Sequence, residues 1–224
     1  RQNKKSIAQK DFEEAIERVI LGPERRSRIM SPEEKKVTAY HEAGHAIVQH
    51  FLDGSSKVRK VTIMPRGMAL GVTWSMPDED QYNMSARQLR NEIAGLLGGR
   101  TAEEIIFSEI TTGASNDLDR VTKLARSMVT RFGMSELGPM VFGQKEELVF
   151  LGREIGEQRD YSEAVAEAID EQVRKIITEE HGRAREILSA HRDALDIIAH
   201  RLLEVETIDR KEFLELIGAP PDED

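Results

Sequence analysis

Three short signatures fix where helices must begin in this chain. Ser31 with Glu34, Ser85 with Gln88, and Asp209 with Glu212 each set a small oxygen-bearing side chain three residues before a glutamate or glutamine. That is the reciprocal arrangement that satisfies free amides at a helix start. Pro32 strengthens the first signature, because its fixed φ suits the first helical position. From Ser31 a helix is expected to run to Asp53-Gly54. From Ser85 one is expected through Leu89, Ile93, Leu96 and Leu97 toward Ile105 and Phe107. Adjacent glycines Gly98-Gly99 inside it cost about 1 kcal/mol each relative to alanine, which predicts a kink or the close approach of another backbone. Ser115 or Asn116 is expected to cap a helix to about Arg131. Ser162 opens a long helical region reaching about Val205, with Val165, Ile169, Val173, Ile176 and Ile177 at helical spacing. Asp209 starts a last short helix ending at Gly218. Against these stands one pair of strand-like runs, 58–64 and 70–74, joined across Pro65-Arg66-Gly67 as a short antiparallel hairpin. Two strands cannot build a core, so the expected fold is mainly α with a small antiparallel β-hairpin or sheet.

The chain's 224 residues suffice for one large domain plus a fragment. Phe12, Ile16, Val19 and Ile20 predict an amphipathic helix that Gly22-Pro23 stops. Three turns cannot form a core alone, so 1–22 reads as the tail of a preceding domain, 23–30 as a linker, 31–218 as the main domain and 219–224 as a disordered acidic tail. The polar, basic opening without an initiator methionine reads as a segment of a longer protein. No run approaches the roughly 18 apolar residues of a membrane span and no signal peptide opens the chain, so the piece is expected to be soluble. A net charge of -9 and 5% aromatic residues argue against a nucleic-acid surface.

Cysteine is absent and histidine occurs six times. That excludes disulfides, thiol nucleophiles and thiolate zinc sites, and leaves imidazole and carboxylate as metal ligands. The first capped helix contains His41-Glu42-Ala43-Gly44-His45. Four residues turn a helix by about 400°, leaving the two imidazoles one turn apart and about 40° apart around the axis, so both reach one ion. Glu42 is the neighbour able to take a proton from water and pass it to a leaving amine, the chemistry of peptide hydrolysis with zinc.

A catalytic zinc takes a third protein ligand and keeps one position for water. Val48 and Phe51 stand where a metzincin carries glycine and histidine, which excludes that class. His50 lies about 180° around the helix from His41. His181, His191 and His200 fall in charged C-terminal helices and read as solvated or structural. Glu103, Glu104, Asp117 and Asp119 remain, with Asp117 at a helix start and Glu103 its main rival, as ligand or as a group orienting a ligating histidine.

The run Thr38-Ala39-Tyr40-His41-Glu42-Ala43-Gly44-His45-Ala46 resembles the protease domain of the FtsH family of membrane-anchored, ATP-dependent zinc metalloproteases. So do Val61-Thr62-Ile63, Pro65-Arg66-Gly67, Leu70-Gly71-Val72-Thr73, Gly98-Gly99-Arg100, Ala102-Glu103-Glu104 and Thr112-Gly113-Ala114-Ser115-Asn116-Asp117-Leu118. The resemblance implies one zinc ion on His41, His45 and Asp117, Glu42 as the catalytic acid and base, and Glu103 as an orienting group. It also implies that 1–22 is the end of an AAA module, through Asp11-Phe12-Glu13 and Gly22-Pro23-Glu24-Arg25-Arg26. The resemblance further implies a homo-hexamer, unfolded or membrane proteins as substrates, and a parent anchored in a membrane with this domain on the cytoplasmic or equivalent organellar side. No G-x-x-x-x-G-K-[ST] loop occurs, so ATP and Mg2+ are expected only in an AAA module outside these residues. The competing readings are a free-standing zinc peptidase with Glu103 as third ligand and a non-catalytic helical assembly module. Residues 70–74 are either an edge that takes an extended substrate as an added strand or a plain ribbon over the core.

Overall fold

The computed structural model describes residues 30–65, 70–76, 83–143 and 161–221, together with Phe12, Ala15, Ile16 and Val19. Helix α1, Pro32–His50, starts as its signature requires: the Glu34 amide donates to Ser31 Oγ (3.1 Å) and the Ser31 amide to Glu34 Oε2 (3.0 Å). From Thr38 to Val48 every residue is buried. A helix covered on all sides needs no sharp polar face, so this one forms the axis of the domain.

Helix α2, Ala86–Phe107, crosses α1 and passes through Gly98-Gly99 without interruption. Of the two expectations for these glycines, close approach holds. A Cβ on Gly44 would lie 2.5 Å from the Gly98 carbonyl oxygen, and one on Gly98 would lie 2.6 Å from that of Gly44. The backbones therefore touch where side chains would otherwise hold them apart.

A 3-10 turn, Thr112–Ala114, leads directly into α3, Ser115–Thr130. The expected serine or asparagine cap of α3 is absent. The turn does that work instead, with the Ser115 amide bonded to the Thr112 carbonyl and Thr111 Oγ1 accepting from Gly113 N–H (3.1 Å). Helix α4, Glu163–Ala190, and helix α5, Arg192–Val205, make up the long helical region expected from Ser162. The chain breaks at His191 (φ -116°, ψ 36°), whose ring stacks on Phe51 at 3.5 Å, so the return packs α5 beside α1. Buried Glu180 binds α4 to α2 through Arg90 and Arg183, and Arg183 also donates to Asn91.

The sheet has three antiparallel strands in the order β2-β1-β3, with β1 Lys57–Thr62, β2 Val72–Met76 and β3 Thr207–Asp209. Val61 sits opposite both Thr73 and Ile208. The sequence reading contained no β3, which is three residues long and ends on Asp209, the N-cap of α6 (Arg210–Leu216). Val58, Val61, Ile63, Ile208 and Phe213 join Ala39, Ile47, Leu195, Ile198 and Leu202 in one core that surrounds α1. Phe12, Ala15, Ile16 and Val19 are helical and exposed; the other residues of the expected first helix, 23–29 of the linker, Arg66-Gly67 of the hairpin loop, and 222–224 of the tail lie outside the described residues.

Candidate metal centre

His41 and His45 project from successive turns of α1, and Asp117 comes from the first turn of α3. The 3-10 turn aims that first turn back at α1. Nε2 of His41 and Nε2 of His45 are 3.0 Å apart, and Asp117 Oδ2 lies 3.3 Å from each. Ligand bonds of about 2.0–2.1 Å at tetrahedral angles separate donor atoms by about 3.3–3.4 Å, so these three atoms outline one face of a tetrahedral site.

The far side of each ring fixes what faces the triangle. His45 Nδ1 lies 2.8 Å from the Gly95 carbonyl, which can only accept, so Nδ1 carries the hydrogen and neutral His45 presents a lone pair at Nε2. His41 Nδ1 stands 2.6 Å from Glu103 Oε1, which fixes the same tautomer when that ring is neutral. Two lone pairs and a carboxylate oxygen then converge with no donor between them. This set is repulsive alone and suits a divalent cation of zinc's preferences.

In the metal-free protein a proton on His41 takes the cation's place between these atoms. Burial pushes Asp117 up, but its contacts with His41 and His45 outweigh this and hold it well below the usual carboxylate range. Burial pushes Glu103 up as well, and the bonds from His41 and from the Thr111 amide (2.9 Å) bring it below its ordinary value. Glu42 is raised, chiefly by burial. Room for the centre comes from Gly99, where a Cβ would fall 2.5 Å from His41 Nε2 and 2.6 Å from His45 Nε2.

Among the described residues, His41, His45 and Asp117 are the cluster able to hold a metal ion. Glu42 lies beside them on α1. Glu103 meets the back of His41, at Nδ1, away from the triangle. Glu104 is engaged elsewhere, by Arg100 (3.2 Å), Arg185 and His181 (3.2 Å), and Asp119 is exposed. His50 packs on Phe213, His191 on Phe51 and His200 beside Tyr40, all apart from the site. The sequence reading missed Thr73, Gly71, Gly95 and the reason for Gly99. Their parts are contacts between elements; in the sequence Gly71 and Thr73 stood out only as members of a resembling motif, with no role attached.

The family model for peptidase family M41 matches residues 28–216. The chain is 52% identical over 221 residues to the ATP-dependent zinc metalloprotease FtsH 1 of Sphaerobacter thermophilus, covering 98% of this chain and 34% of that protein. It is 54% identical over 220 residues to the ATP-dependent zinc metalloprotease FtsH of Kosmotoga olearia, covering 97% and 34%. The corresponding protein of Thermotoga maritima is 49% identical over 220 residues, covering 97% and 36%. The chain thus spans about a third of the length of the curated relatives it matches.

Proposed function

The chain belongs to peptidase family M41, and from that membership we propose that it is a zinc endopeptidase domain whose metal is held by His41, His45 and Asp117. The observation that carries this reading is the triangle of Nε2, Nε2 and Oδ2 at 3.0 and 3.3 Å, with both rings fixed from behind. Bound there, zinc supplies a Lewis acid that polarises the scissile carbonyl and lowers the pKa of water.

The chain's own residues do the rest. Glu42 accepts the proton from the attacking water and hands it to the departing amide nitrogen, and its raised pKa suits a group that must both take and give a proton. Glu103 holds His41 with one oxygen and the Thr111 amide with the other, so a single carboxylate aligns a ring and the turn that delivers Asp117. That placement supports orientation as its role, in preference to ligation. β2 is an edge strand among the described residues, which supports the reading that an extended substrate adds to it as a further strand.

Glu42→Gln is expected to keep zinc and lose casein hydrolysis. His41→Ala and Asp117→Ala should lose both, whereas Glu103→Gln should keep the metal, with zinc content measured beside turnover. Loss of zinc in Glu103→Gln with retention in Asp117→Ala would reverse the two carboxylates. Bound zinc without hydrolysis under any condition would favour an assembly module.

For the longer protein the proposal follows the family resemblance, and only ATP dependence, zinc and proteolysis are in the relatives' names. This chain is the peptidase part, 31–218, behind a stub of an AAA module at 1–22 and a linker at 23–30, with an acidic tail at 219–224. An ATP-driven module outside these residues delivers unfolded or membrane proteins to it. The assembly is a homo-hexamer anchored in a membrane, with this domain on the cytoplasmic or equivalent organellar side. Among the described residues no helix is long and apolar enough to cross a membrane.

A further inference from the structure

Glu42 is buried, and its carboxylate is met from one side by β2. The Thr73 hydroxyl donates to Glu42 Oε2 at 2.8 Å and stands 3.0 Å from the Glu42 carbonyl oxygen. Two residues earlier, Gly71 leaves open the place where a side chain would begin. A Cβ there would lie 2.7 Å from both Cγ and Oε1 of Glu42 and 2.9 Å from the Thr62 carbonyl oxygen. Residues two apart in an extended chain share a face, so one face of this segment fits around one carboxylate. Neither feature is what a strand requires. Valine serves a strand as well as threonine does, and glycine serves it poorly.

We propose that Thr73 is the positioning residue for Glu42: its hydroxyl pins Oε2, and proton transfer runs through Oε1, in the space that Gly71 leaves. The inference rests on the acid-base role given to Glu42 above. In the step, Oε1 takes a proton from water as the new C–O bond forms. It returns that proton to the amide nitrogen as the C–N bond breaks, and Thr73 neither gains nor loses an atom. A glutamate has three rotatable bonds, and without the hydroxyl its carboxylate would leave the attacking geometry even though the metal ligands stayed in place.

The test compares Thr73→Val and Thr73→Ser with Glu42→Gln as reference, reading peptide kinetics, zinc content and Tm on the zinc-loaded protein. A hydrogen bond to a charged group predicts that Thr73→Val lowers kcat about 10- to 100-fold, with KM and zinc content near those of the parent. Thr73→Ser should restore most of the rate. Should the valine lower Tm, Thr73→Ala against Thr73→Ser makes the same comparison without a methyl facing the carboxylate. Parent kcat in the hydroxyl-free variants beside an inactive Glu42→Gln overturns the role of Thr73 alone. An active Glu42→Gln overturns the acid-base reading beneath it. Equal loss with and without the hydroxyl makes Thr73 a packing residue and also overturns the proposal.

Discussion

At His41 two forces compete for one proton. Burial pushes the imidazole down, but hydrogen bonds to Asp117 and Glu103 and the charges of Glu42 and Glu103 raise it to about 10. In the unfolded chain it titrates near its ordinary 6.5. A group raised on folding stabilises the fold fully below its unfolded pKa and loses that contribution as pH climbs through the folded value. The metal-free protein is therefore expected to lose stability between about pH 6.5 and about pH 10, followed as a falling Tm. A metal ion must displace the same proton, so zinc uptake near pH 8 should release about one proton, measured with an indicator dye in weak buffer. Uptake without release would contradict the shared site. His41, Glu42 and His45 were legible in the sequence because one helix encodes their spacing. Asp117 lies 76 residues from His41, and the residues alone left it among four carboxylates until the family resemblance singled it out. The roles of Thr73 and Gly71 were illegible, although the motif that holds them was part of the resemblance, because a contact between a strand and a helix leaves no periodicity.

At the scale of the element, helix starts were the most readable feature. Ser31, Ser85, Ser162 and Asp209 each cap the helix that their signatures announce. What escaped were features set by neighbours: β3 exists because β1 offers it an edge, and the break at His191 is packed against Phe51 from another helix. The hairpin was readable as an element, and β2, the edge strand among the described residues, bears on substrates. If a peptide adds to β2 as a strand, main-chain hydrogen bonds carry much of the recognition. A model peptide with proline placed in turn on either side of the scissile bond should then resist cleavage at alternate positions, where the missing N–H would have bonded the edge. Uniform tolerance of proline would rule out strand addition.

At the scale of the whole molecule, the site is drawn from α1, α2, α3 and β2; the three helices share one core, and β2 is joined to it through its pairing with β1. A ligand that binds only the folded state stabilises it by about 2.7 kcal/mol at a hundredfold excess over Kd. For a chain of this size that corresponds to about 5–10 °C in Tm. Chelation is thus expected to lower Tm by that order, and restored zinc to reverse the change, read by thermal unfolding at fixed pH. An unchanged Tm would detach the metal from the fold. The bridge from His41 through Glu103 to the Thr111 amide also has a consequence for synthesis. Until the turn after α2 has docked, His41 lacks its full support and Asp117 is not delivered. Hydrolytic competence therefore waits on the docking of that turn, however complete the helix that carries His41 and His45 already is.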